Sequence, residues 1–234
     1  MERIPINVGV LLDSYEEARR APLGDIVLSQ CQRCDFVFNR LFDLKQMSFE
    51  PGYEVALHHS GIFRSFMDGV ADRLIDRFDL HGKHVVEIGC GGGYFLRLLC
   101  ERGGNFGIGI DPTVAREGVE QLGDGRVRFI RDFYSERYAH LPADFVCCLS
   151  VFEDIPQPEE FLKMLRRVIG DRQVGVYFEV FNGMGAIGRR ENWSIHYEQC
   201  NYFGLASFKN LFHRCGFDVT DSGYCYEEIG RAHV

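Results

Sequence analysis

"VVEIGCGGGYF" (85–95) runs from a short apolar stretch directly into glycines at every second position. Val85, Val86 and Ile88 suit a buried strand, and residues 94–102 carry apolar side chains at helical spacing. Gly89, Cys90, Gly91 and Gly93 therefore mark a strand-to-helix turn. Glycines there open backbone conformations closed to other residues and let a ligand approach the main chain. The helix N-terminus behind them presents unpaired N–H groups. Outward from this turn the pattern alternates. Before it, Ile62, Phe63, Phe66, Met67, Val70, Leu74, Ile75 and Phe78 recur at three and four, predicting a helix over 62–78. After the strand 84–88 and the helix 94–102 come strands at 106–110 and 127–130 flanking a predicted helix over 114–122. A strand at 144–150, a helix over 158–169 opened by Pro158, and a strand at 173–181 follow. A helix over 206–215 and a strand over 217–226 complete the series. Strands separated by helices predict an α/β parallel sheet covered on both faces, with ligands at the carboxyl ends of its strands.

Composition narrows the partners. A 234-residue chain of net charge −8 lacks the basic footprint that phosphate backbones require, so nucleic acid is not an expected partner and a small molecule is. No apolar run approaches the roughly 20 residues that cross a bilayer, and the opening residues lack a basic-then-apolar signal, which excludes a membrane partner and reads as cytoplasmic. Nine cysteines without secretory context read as reduced thiols. Residues 1–50, broken by Pro5, Pro22 and Gly24, form a small β-rich appendage carrying Cys31 and Cys34. Residues 51–81 read as a helical connector and 82–227 as the main domain.

The turn and its acidic partner suit two cofactor classes. The strand 106–110 ends at Asp111, 22 residues after Gly89, where a carboxylate can accept ribose hydroxyls. A dinucleotide fingerprint wants glycine at 94, and Tyr94 stands there. The run Glu87-x-Gly89-x-Gly91-x-Gly93 instead resembles motif I of class I S-adenosylmethionine-dependent methyltransferases. That resemblance implies a Rossmann-like, doubly wound sheet and S-adenosylmethionine as cofactor. It places Glu87 at the methionine end, Asp111 on the ribose, Asp132 at the adenine amino group and Phe133 beside the ring, with Cys90 inside the turn. Glu153, in "SVFEDIPQPEEFL", matches the family's stretch after the fourth strand, with Phe152 for a Leu and Asp154 for a His.

Over about residues 5–226 the order of features is similar to the sugar C-methyltransferase type with an N-terminal Cys-x-x-Cys zinc-binding domain. Such proteins carry two Cys-x-x-Cys pairs around one zinc, and only Cys31 and Cys34 match here; two thiolates do not close a tetrahedral site. Zinc is thus expected only in a longer protein. The resemblance also implies that Tyr53 closes over the ligands and that Tyr197, Glu198, Gln199 and Tyr202 match a Tyr-Glu-His-x-x-Tyr segment lining the substrate. Gln199 departs from it, because an amide accepts no proton near neutral pH whereas imidazole does. Glu198, desolvated among Trp193, Tyr197, Tyr202 and Phe203, is the expected base, with Tyr53, Tyr197 and Tyr202 orienting. His196 is the other candidate, and Cys200 reads as a buried thiol.

The expected activity is methyl transfer from S-adenosylmethionine to carbon or oxygen of a small sugar-like or hydroxylated metabolite. A non-catalytic methyltransferase-like binding module and an NAD-dependent oxidoreductase are the alternatives. The last residues, "EIGRAHV" (228–234), resemble an in-frame translation of a sequencing-adapter read. They are read as a non-native tail, and the final strand of the sheet is expected to be missing.

Overall fold

The computed structural model describes residues 1–7, 10, 12–50, 53, 57–226 and, by backbone alone, 231–233. Its elements are β1 (Ile4–Pro5), α1 (Tyr15–Arg20), β2 (Leu23–Gly24), β3 (Leu28–Gln30), β4 (Val37–Asn39), α2 (Gly61–Phe78) and β5 (His84–Ile88). Then come α3 (Tyr94–Gly103), β6 (Phe106–Ile110), β7 (Gly118–Leu122), β8 (Gly125–Ile130), β9 (Phe145–Leu149), α4 (Pro158–Ile169) and β10 (Gly175–Phe181). The chain closes with α5 (Gly183–Arg189), β11 (Asn201–Tyr202), α6 (Leu205–Arg214), β12 (Gly223–Cys225) and β13 (Arg231–His233). The large sheet has the order β12-β13-β10-β9-β5-β6-β8-β7. β5 runs parallel to β6 and β9, and β6 to β8, so this is the expected mostly parallel Rossmann-like α/β sheet. The chain divides into two compact units, residues 49–149 with 163–178, and residues 1–48 with 150–162 and 179–234.

In the first unit, α2 forms because Ser60 caps it through the Phe63 N–H, and Phe63, Met67, Val70, Leu74 and Ile75 share one buried face. Helix α3 lies on β5, β6 and β8. It approaches β6 so closely that a Cβ at Gly107 would stand 2.5 Å from the Cys100 sulfur. Asn105, fully buried, ties the helix end to the strands. Its amide donates to the Leu80 and Leu99 carbonyls at 2.9 and 2.7 Å, and its Oδ1 accepts the Lys83 N–H at 2.8 Å. Every polar atom of that side chain is therefore satisfied, as burial demands. The register sets Ile88 opposite Ile110 and Ile110 opposite Ile130, so β5, β6 and β8 end level.

The helix expected over 114–122 does not form. Residues 118–122 are strand β7, paired antiparallel with β8 through a two-residue turn at Gly123 and Asp124. Gly123 has φ +57°, which a Gly-Asp hairpin turn uses. The helical reading also placed Gly118 in mid-helix, at a cost of about 1 kcal/mol against alanine. Turn chemistry thus outweighed the apolar spacing.

In the second unit, β11, β4 and β3 form an antiparallel sheet, and β1 pairs with β2. The expected β-rich appendage thus exists, but its β4 is bonded to residues 201–202 from the far end of the chain. Tyr197 sits beneath it, 1% exposed, against Ile6 and Ile26 with Phe42 and Met47 alongside. Its hydroxyl accepts the Asp43 N–H at 3.0 Å. Phe152 stacks on Phe203 at 5.3 Å, and Phe208 and Phe212 of α6 close the same aromatic core. One further expectation changes here. After β10 the chain forms the short helix α5, capped by Asn182 through the Gly185 N–H, and the strand expected over 217–226 is confined to β12. Nor is the last strand position empty. β13 pairs antiparallel with both β10 and β12, so the expectation of a missing strand is corrected. Of the segment read as a tail, residues 228–230 and 234 lie outside the described residues.

Candidate active site

The level ends of β5, β6 and β8 place Glu87, Asp111 and Asp132 along one edge of the sheet. Each is the last residue of its strand or follows that strand by one or two positions, except Glu87, which lies one residue inside β5. Gly89, Gly91 and Gly93 have φ of +72°, +49° and +79°, so the alternating glycines do supply a left-handed turn. Gly93 begins α3 against the Phe129 ring, where an added Cβ would lie 2.3 Å from Cε1. Above Gly91, its chain neighbours aside, no atom of the described residues lies within 4 Å of such a Cβ. One glycine is thus demanded by packing and the other leaves room beside the main chain. Gly93→Ala is expected to destabilise the fold by about 2–4 kcal/mol through strain and overlap. Gly91→Ala is expected to cost only about 1–2 kcal/mol while weakening S-adenosylhomocysteine binding. Denaturant melting and ligand titration check both; equal melting losses would show that the two glycines do not divide these tasks.

Glu87 is 3% exposed, and its Oε2 has no hydrogen-bond partner among the described residues. Burial pushes its pKa up to about 8; the Leu96 N–H opposes that rise, the Asp111 charge adds to it, and Arg97 opposes it. A carboxyl so placed lacks a donor-bearing cation, and the ammonium of a methionine moiety is one. Cys90 is buried beside it, and burial followed by the Glu87 charge raises its thiol. Asp111 is engaged more than expected. Its Oδ2 accepts the Gly91 N–H at 2.8 Å, and its Oδ1 accepts both the N–H and the hydroxyl of Thr113 at 2.6 Å. A carboxylate has about four acceptor positions, so one remains without breaking those bonds. Asp132 accepts the Tyr138 hydroxyl and pairs with Arg137. Phe133 is 54% exposed, edge-on to Phe49 at 5.3 Å. Tyr53 is half-buried, its N–H donating to the Glu50 carbonyl at 3.0 Å.

Sequence reasoning missed three supports of this turn. Arg97 donates to the Gly92 carbonyl and to Glu120 and lies 4.8 Å above the Phe129 ring, clamping the turn from α3. Glu120 was hidden by the mistaken helix. Thr113 had a legible signal, since a Thr two residues after an Asp can bond back to it.

The second unit holds the segment 193–203. Glu198 and Gln199 are half-buried, and Trp193 is exposed rather than packed around Glu198. Tyr202 is buried, its hydroxyl donating to the His196 carbonyl at 3.1 Å, and burial raises its pKa. Tyr197 and Tyr202 therefore brace the segment from inside, correcting the expectation that their hydroxyls face a substrate. Burial lowers the pKa of half-buried His196. Cys200 is buried and its thiol donates to the Glu153 carbonyl, as the core-thiol reading expects. Glu153 is 2% exposed and accepts the Phe181 N–H through Oε1.

Cys31 and Cys34 flank the turn between β3 and β4, half-buried, with the Cys31 N–H donating to the Phe36 carbonyl. The Arg33 N–H, followed by the Cys34 thiol, lowers the Cys31 pKa. Among the described residues no group of three His, Cys, Asp or Glu is placed to hold a metal. Cys31 and Cys34 supply two of the four ligands that tetrahedral zinc requires, so the described residues do not fit it. No helix among the described residues is long and apolar enough to cross a membrane.

Comparison with known proteins finds methyltransferases. A ubiquinone biosynthesis O-methyltransferase of Pseudomonas aeruginosa (strain UCBPP-PA14) is 33% identical over 100 residues, covering 40% of this chain and 43% of that protein. A tRNA U34 carboxymethyltransferase of Colwellia psychrerythraea is 37% identical over 115 residues, covering 48% and 34%. The matched stretch is less than half the length of these relatives. Magnesium protoporphyrin IX methyltransferase from Synechocystis PCC 6803, solved with bound S-adenosylhomocysteine, superposes with a TM-score of 0.52 at 20% identity over 77% of this chain and 87% of that one. That likeness concerns the fold alone. The family model described as "Methyltransferase domain" matches residues 63–222, spanning the glycine turn, Asp111, Asp132 and Glu198, and the chain belongs to that family, with the class I S-adenosylmethionine-dependent fold.

Proposed function

We propose that the chain transfers the methyl group of S-adenosylmethionine to carbon or oxygen of a small hydroxylated or sugar-like acceptor. The observation that carries this reading is the buried Glu87 Oε2, unpartnered beside a left-handed glycine turn with open space at Gly91. When bound, S-adenosylmethionine supplies a methyl already activated on a sulfonium. The protein's share is to position: Glu87 takes the ammonium, the remaining acceptor position of Asp111 takes one ribose hydroxyl, and Asp132 with Phe133 addresses the adenine. Holding reactants in line removes an entropic cost of several kcal/mol, which is most of what such a reaction asks of a protein. Glu198 takes the acceptor's proton where one must leave, and Tyr53 orients the acceptor. Tyr197 and Tyr202 hold the backbone that carries Glu198.

The acidic net charge favours a small molecule over RNA, although one relative's name includes tRNA. Gln199 favours one second reading, a binding module that retains cofactor without turnover, because its amide cannot act as the base. Calorimetric titration with S-adenosylhomocysteine and NADH decides the cofactor. S-adenosylhomocysteine is expected to bind and NADH not; the reverse preference would sink the methyltransferase reading in favour of an oxidoreductase. Binding without transfer of labelled methyl to any of a panel of small acceptors would favour the module.

A further inference from the structure

Two segments of the second unit run side by side near Glu198. The Cys200 thiol donates to the Glu153 carbonyl at 3.5 Å and the Asn201 amide to the Ile155 carbonyl at 2.6 Å. These bonds hold residues 153–155 against 200–201 and bring Asp154 close to Glu198. The Oδ1 of Asp154 and the Oε1 of Gln199 are both buried, and both lack a hydrogen-bond partner among the described residues. Buried acceptors left unmade are costly and rare, so one on each of two neighbouring segments points to something that donates to them. The cluster is also rich in acid. Burial, then the charges of Glu153 and Glu198, hold Asp154 well above the usual carboxylate range; burial first and the Asp154 charge second raise the Cys200 thiol, and burial raises the Tyr202 phenol with a smaller push from Asp154. The residues themselves remain half-buried, so the cluster is not sealed from a ligand.

The missing partner must donate hydrogen bonds and carry positive charge. A metal ion answers the charge, but among the described residues these groups do not form a metal-holding set. A neutral hydroxyl donates once and leaves the charge uncompensated. A protonated amine brings three N–H donors and one positive charge. We propose that Asp154 and Gln199 bind an ammonium group of the methyl acceptor, which makes the acceptor an amine-bearing small molecule. This rests on the reading that residues 198–199 face the acceptor.

Three small probes separate charge from hydrogen bonding: ethanolamine, choline, which is cationic without N–H donors, and ethylene glycol. Each is titrated into the full chain by saturation-transfer NMR, with S-adenosylhomocysteine affinity measured on the same samples. Ethanolamine is expected to bind at least about tenfold tighter than ethylene glycol and tighter than choline, with Asp154→Asn and Gln199→Leu each weakening it about tenfold. Equal binding of ethanolamine and glycol, or of ethanolamine and choline, overturns the proposal. So does ethanolamine binding untouched by either substitution. The cofactor titration reads out separately: lost amine selectivity with S-adenosylhomocysteine binding intact removes this proposal and leaves the methyltransferase reading standing.

Discussion

Glu87→Gln is expected to make the ligand-free protein more stable at neutral pH and to weaken S-adenosylhomocysteine binding about 100-fold. The first effect follows from linkage. Burial raises the folded-state pKa of Glu87 from 4.5 to about 8, so between those values the unfolded chain ionises while the folded one keeps its proton. Stability from this group is therefore fully present below pH 4.5 and lost as pH rises toward 8, by up to about 3 kcal/mol at pH 7. Glutamine cannot ionise and escapes that loss. The melting difference between variant and parent should grow with pH across this window and vanish at pH 4. The second effect is the loss of a charge-assisted bond to the cofactor's ammonium, about 1.5–3 kcal/mol or 10- to 150-fold. A carboxylate that destabilises the empty fold yet strengthens a complex behaves as a binding residue. Melting curves at several pH values and calorimetry check both halves. A Gln variant that melts lower at neutral pH, or binds the ligand as the parent does, would remove Glu87 from the cofactor site.

Glu198→Gln is expected to lower the rate of methyl transfer about 100-fold with little change in KM, in line with general-base contributions of about 10² or more. Glu198→Asp keeps a carboxylate and should retain a larger share of the rate. Several neighbours are ruled out as the base by geometry or chemistry. Tyr197 and Tyr202 are buried with their hydroxyls engaged, and the Gln199 amide accepts no proton. His196 is the serious competitor, since burial lowers its pKa and keeps it neutral near pH 7. Labelled-methyl assays on Glu198→Gln and His196→Ala distinguish the two. Full activity in the Glu198 variant, with loss in the His196 variant, would reassign the base to His196.

The glycine turn and its sheet were legible because their pattern is local. The strand-turn-helix of 84–103 needs only neighbouring residues to declare itself, and three parallel strands ending level then set Glu87, Asp111 and Asp132 along one edge of the sheet. Hairpin β7–β8 was legible in principle, since Gly123 and Asp124 carry the turn, but apolar spacing over 114–122 obscured it. The segment 193–203 was not legible in the same way. Its aromatic residues looked alike in sequence, yet Trp193 is exposed while Tyr197 and Tyr202 are sealed inside.

By itself, then, the order of apolar runs, glycines and acids determined the α/β sheet and the acids at its strand ends, because periodicity and turn chemistry act over a few residues, while S-adenosylmethionine came from the resemblance of the 87–93 turn to motif I. Only the tertiary structure decided which face of 193–203 is buried, that β11 adds to the β3–β4 hairpin, that β13 takes the slot between β10 and β12, and that Asp154 meets Glu198. Those outcomes depend on pairings and burial between residues tens to more than a hundred positions apart. Sequence spacing carries no record of such distances, and close packing settles them only when the whole chain is in place.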